Sequence, residues 1–161
     1  MPTHKFDEVH CQILKVSGPN KIDSAVDITE QAIKSASGPQ AFTITKAAGG
    51  ANEVEITISP IDSDDAVLTG LRSITVWASD DSAGAGVSST WAIDSIAAKS
   101  TFGAVLSALT ANKHVIAQTN ASGVLTLVLT DAATGGGYVA VENPFSGLPQ
   151  LIQVEAGDYG S

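Results

Sequence analysis

Residues 53–59 read EVEITIS, and the fold turns on this stretch. Val54, Ile56 and Ile58 share one side of an extended chain, and Glu53, Glu55, Thr57 and Ser59 share the other, because successive side chains of a strand point to opposite faces. A helical period would scatter both sets around the axis. One apolar face and one polar face describe an antiparallel strand covered on a single side. Pro60 has no N–H for a ladder, so it ends the strand or marks its edge.

The same reading extends toward the C-terminus. Residues 71–79 (LRSITVWAS) form a strand that runs into a turn at 80–84 (DDSAG), and residues 91–96 form another short strand. Residues 103–110 (GAVLSALT) read equally as a strand or a helical turn. Residues 113–119 (KHVIAQT) and 124–130 (VLTLVLT) are expected to pair as a hairpin across 120–123 (NASG), with Gly123 supplying positive φ. A Gly-rich turn at 131–137 follows, and strands at 138–142 (YVAVE) and 151–155 (LIQVE) close the domain. Six to eight short strands spaced about 8–12 residues apart point to an all-β sandwich. Its core would be thin and built on Ala, Val, Ile and Leu. Trp77, Trp91, Phe102, Tyr138 and Phe145 are the expected large anchors.

Toward the N-terminus the pattern breaks down. Residues 9–16 (VHCQILKV) read as one short strand, and 41–45 (AFTIT) as another. Asp27 and Glu30 have the spacing of a capping box that would open a helix, whereas Val26 and Ile28 alternate as in a strand. The small, uncharged run 47–51 (AAGGA) reads as a boundary. The expected organisation is an irregular arm over 1–47 and a sandwich over 48–161.

Charge follows the same division. Residues 1–47 carry five Lys and five Asp/Glu, while 48–161 carry three basic and twelve acidic residues, the whole of the net −9. Such a domain repels phosphate backbones and offers anionic lipid no basic patch, which argues against nucleic-acid and membrane partners. No apolar run approaches the ~20 residues of a spanning helix. The first residues lack the apolar core of a signal peptide, so synthesis and folding in the cytoplasm are expected. With Cys11 as the single cysteine, no intramolecular disulfide is available.

No residue pattern proposes a reaction or a cofactor. The serines lie outside any GxSxG, the three histidines have no triad partner, and 135–137 (GGG) lacks the rest of a phosphate-binding loop. His4, His10, Cys11 and His114 match no zinc spacing. Asp62, Asp64 and Asp65, with the nearby pair Asp80 and Asp81, are the one weak calcium candidate. Carboxylate oxygens suit that ion, but the spacing is not that of an EF-hand loop, and solvated Asx turns account for it as well. Trp77 and Trp91 would serve as carbohydrate platforms if exposed; the core is the stronger expectation for Trp77.

Several segments resemble the immunoglobulin-like module of tailed-bacteriophage structural proteins. These are 52–62 (NEVEITISPID), 74–80 (ITVWASD) with its small-residue turn, 119–123 (TNASG) leading to an aliphatic strand ending at Thr130-Asp131, and 138–141 (YVAV). Asn120 stands where that family's hairpin usually has Asp. The resemblance covers about 50–157 and implies an immunoglobulin-like β-sandwich in a virion surface protein: a decoration or cement protein, a head fibre or a tail component. On that footing the expected role is non-enzymatic. The protein would bind the outside of the assembled head, contact the major capsid protein and associate with itself as a dimer or trimer. The arm would supply the contacts through Phe6, Val9, Ile13, Leu14, Ile22, Val26, Ile28 and Ile33. The alternatives are a head-fibre or tail-surface adhesion domain and a calcium-dependent binding module.

Overall fold

The computed structural model describes residues 39–161, and Pro39–Ser161 forms one compact unit. The strand expected at 9–16, the capping box at Asp27, the eight arm contact residues and His4, His10 and Cys11 lie outside the described residues.

Nine strands follow in order: β1 Ala41–Ala48, β2 Glu53–Ile61, β3 Ser73–Ser79, β4 Ser95–Ala98, β5 Ala104–Thr110, β6 His114–Gln118, β7 Leu125–Thr130, β8 Gly137–Val141 and β9 Gln150–Val154, with a 3-10 turn at Ala156–Asp158. They build two sheets, ordered β1-β2-β7-β4 and β5-β6-β3-β8-β9. Every strand pairing is antiparallel. The apolar residues of both sheets meet in one core, the layout of a β-sandwich.

The alternation of β2 is realised as written, with Val54, Ile56 and Ile58 fully buried. Leu125, Leu127 and Leu129 of β7 lie beside them in the same layer. Ile74, Val76 and Ala78 of β3, Val115 and Ala117 of β6, and Val139 and Val141 of β8 face them from the other sheet. Pro60 falls inside β2 at no cost to the sheet. The β2–β7 register ends at the Ile58–Leu125 pair, so the missing N–H of Pro60 breaks no bond to β7, and its carbonyl accepts from Leu68 N at 2.8 Å.

Four features differ from the sequence reading. First, β1 belongs to the sandwich: all eight of its residues are in register with β2. Residues 47–51 complete that strand and turn the hairpin, where Gly49 N donates to Glu53 O at 2.9 Å and Glu53 N to Gly50 O at 3.0 Å. Composition read this run as a linker because only Phe42 and Ile44 of β1 reach the core.

Second, β6 and β7 are not a hairpin. β6 pairs with β3 and β5, and β7 pairs with β2 and β4. The local turn forms as expected, with Asn120 N donating to Val124 O at 2.8 Å and Gly123 at φ +78°. It carries the chain from one sheet to the other. Period-two alternation reports which side of a strand is buried; it does not report which strand lies alongside.

Third, the core aromatics are Phe42, Trp91 and Tyr159. Phe102 and Phe145 are 41% and 67% exposed, and Trp77 and Tyr138 are half-buried. Fourth, the short strand expected at 91–96 is displaced to Ser95–Ala98, because Trp91 and Ile93 turn into the core ahead of it. Trp91 Nε1 donates to the buried Asp131 carboxylate at 3.1 Å, which satisfies both polar groups inside.

Candidate functional site

The outer face of the five-stranded sheet carries an open groove of about 850 Å³. Strand phase supplies its floor. Ile74, Val76 and Ala78 point into the core, so Thr75 and Trp77 point out; Val115 and Ala117 of β6 point in, so His114 points out beside them. The Trp77 and His114 rings meet edge to face, with centroids 6.0 Å apart at 62°. Such contacts follow from the ring quadrupole, whose edge is positive and face negative.

Two loops wall the groove. One contains Gly84, Ala85, Gly86 and Val87, and the other runs from Asn143 through Pro149. Trp77 Nε1 donates to the Gly84 carbonyl at 3.2 Å and so pins the first loop to the floor. Gly84 is buried at φ +66°, and a Cβ there would come within 2.9 Å of Pro149, so the two walls touch at this residue.

Both walls are held by side-chain acceptors. The Asp80 carboxylate accepts from the Ser88 hydroxyl, from Ser89 N at 2.7 Å and Oγ at 3.0 Å, and from Thr90 N at 3.2 Å and Oγ1 at 2.7 Å. These donors, Ser88 foremost and then Thr90 and Ser89, hold Asp80 below the usual carboxylate range. Asp81 Oδ1 accepts from Ala83 N at 2.7 Å in the same loop. On the other wall the buried Asn143 accepts from Phe145 N at 3.0 Å and Ser146 N at 3.3 Å, and donates to Gln40 O at 3.0 Å. The groove is thus a preformed apolar trough, with the Glu142 carboxylate exposed at its side. Its chemistry suits binding: an aromatic floor, aliphatic walls and one carboxylate.

Of the calcium candidates, Asp62 serves as a turn acceptor. Asp62 Oδ1 accepts from Asp64 N at 2.8 Å and Ala66 N at 3.0 Å, which closes the turn after β2, and Asp65 takes a positive φ of 60°. No group of three or more His, Cys, Asp or Glu side chains arranged to hold a metal occurs among the described residues. The glycine run at 135–137 is packing: a Cβ on Gly137 would lie 2.8 Å from both Ser79 O and the Trp91 ring. Trp91 is buried to 2% exposure and presents no platform, whereas the half-exposed Trp77 lies on the groove floor. The Trp77–His114 pairing is a feature that the sequence reading did not reach, although the phase of 74–78 contains the signal for it. Among the described residues no helix is long and apolar enough to cross a membrane.

No protein-family model matches the chain, and no curated protein and no solved structure is significantly similar to it.

Proposed function

We propose that the chain is a structural, non-enzymatic protein of a tailed-phage particle that decorates the outside of the assembled head and stabilises it by bridging capsid subunits. The observation that carries this reading is where the phage-like segments fall. Residues 74–80 span β3 and end on Asp80, the acceptor that organises the loop after it, and 119–123 form the turn between the two sheets. The resemblance therefore rests on positions with structural work to do.

Strand order supports an immunoglobulin-like identity. β1-β2-β7-β4 and β3-β8-β9 follow the ABED and CFG layout in both space and chain order. The departure is the β5–β6 hairpin, which enters between the fourth and fifth strands of that layout and extends the second sheet beside β3. The strongly acidic sandwich suits a solvent-facing module, and the neutral segment before it suits protein contact. Binding only the assembled shell would stabilise that shell by mass action.

The test is copy number relative to the major capsid protein in purified particles, by quantitative mass spectrometry. A ratio near one, or a simple fraction of one, is expected of a tiling protein. A few copies per hundred would move the chain to a fibre, vertex or tail. Absence from particles would end the virion reading. Deleting residues 1–34 is expected to leave a folded sandwich that no longer binds heads, and undiminished binding would remove the arm from the mechanism. The groove favours a second reading, a head-fibre or tail-surface adhesion domain, because an aromatic floor beside a carboxylate is suited to a small ligand.

A further inference from the structure

A sandwich of two open sheets has four edges, and among the described residues three of them are sealed or kept short. β1 and β9 seal one another: the Gln150 side chain accepts from Phe42 N and donates to Phe42 O at 3.2 Å, while Lys46 Nζ donates to Gln153 O at 2.9 Å. β4 is only four residues long, and Lys99, the residue after it, pairs with Glu55 at 2.7 Å. The fourth edge, β5, spans seven residues and, among the described residues, pairs with β6 alone. No residue from 100 to 112 carries a charge, and none is proline. Edges that must stay single usually bear one or the other.

β5 instead displays leucine. Its register with β6 shifts between Val105 and Ser107 and again between Ala108 and Thr110. The residues at these shifts, Leu106 and Leu109, are 53% and 54% exposed. A bulge can spoil an edge for pairing, yet these two bulges set out apolar side chains where lysine would protect. The surrounding surface also narrows the choice of partner. Residues 48–161 carry twelve acidic and three basic residues, so two copies repel one another except along an uncharged strip.

From these features we infer that β5 is the self-association edge of this protein: two copies join β5 to β5 antiparallel about a two-fold axis, with Leu106 and Leu109 of each at the centre. A two-fold contact is self-complementary, so one strip serves both partners. This deepens the dimer or trimer formation expected from the sequence, and so rests on the decoration reading only in part. Its test uses no particle, so its failure leaves head binding standing.

The experiment is sedimentation of the full chain over a concentration series, for the native sequence and for the Leu106→Lys/Leu109→Lys double variant. A native monomer–dimer equilibrium is expected, with dimer affinity falling at least 100-fold in the double variant. Leu71→Lys, at a residue 65% exposed in the loop before β3, is expected to leave the dimer intact. Amide hydrogen exchange of the native protein supplies the second reading, and protection of β5 is expected to rise with concentration. A native monomer up to about 1 mM, a trimer, a double variant that still dimerises, or β5 exchange that ignores dimer formation would each overturn the inference.

Discussion

At the scale of single residues, small acceptors govern this molecule. Asp80 illustrates it: one exposed carboxylate gathers three consecutive residues of a loop that has little core of its own. Its folded pKa lies below the unfolded value, so its contribution is fully present above the unfolded pKa of about 4 and is lost as pH falls through the lower folded value. Asp80→Asn is therefore expected to lower the melting temperature by a constant amount above about pH 5, with the gap narrowing on acidification. Paired thermal melts from pH 7 down to 2 check this. Gly123 makes the opposite point, that one missing side chain fixes a corner. A Cβ there would sit 2.2 Å from Leu68 O at φ +78°, so Gly123→Ala is expected to destabilise by about 1–3 kcal/mol or more in denaturant titration. Legibility also differs at this scale. The alternation in 74–78 already places Trp77 opposite Ile74, Val76 and Ala78, and so outside. Treating tryptophan as a core residue by default masked that phase. Nothing local marks Tyr159 as a core residue, since its burial depends on where the chain returns after β9.

At the scale of elements, β2, β3, β6, β7, β8 and β9 were legible because each alternates against a buried layer or runs apolar. β5 stayed ambiguous for a physical reason: Leu106 and Leu109 fall at register shifts, so its side chains do not keep a period of two. The β6–β7 crossover was illegible because a tight turn has the same local chemistry whether its strands pair or part. The seam between β1 and β9 is the least predictable element, as a glutamine side chain takes the place of a peptide group there. Gln150→Met keeps the length and removes both bonds to Phe42. It is expected to cost about 1–3 kcal/mol and to speed amide exchange at Phe42 far more than at Ile56. Equal protection at Phe42 in the variant would show that the clasp does not hold the seam.

At the scale of the whole molecule, the acidic excess acts on association more than on folding. Twelve carboxylates face outward around a single core except where they brace turns or, like Asp131, lie inside. Two such molecules meeting at β5 do so against a field that salt screens, with a Debye length near 30 Å at 0.01 M and about 8 Å at 0.15 M. Dimer affinity is therefore expected to rise several-fold between those ionic strengths, the reverse of an association driven by opposite charges. Sedimentation in the two buffers checks it. The groove of Trp77 and His114 could be placed only once the topology had set β3, β6 and the loop after β8 side by side.

The pairing of β1 with β2 has a mechanical meaning. Pro39 enters at the Ala41–Ile61 end of the pair, while Gly160 lies at the other end, where Asn52 N donates to Gly160 O at 2.9 Å and Gly160 N to Glu53 O at 2.9 Å. Tension applied between these two points runs along the strands, across roughly 25 Å of ladder. It loads the hydrogen bonds together in shear, where a pull across the strands would peel them one at a time. A molecule tethered through the residue before β1 and tugged from its far end would resist by the strength of its first hairpin.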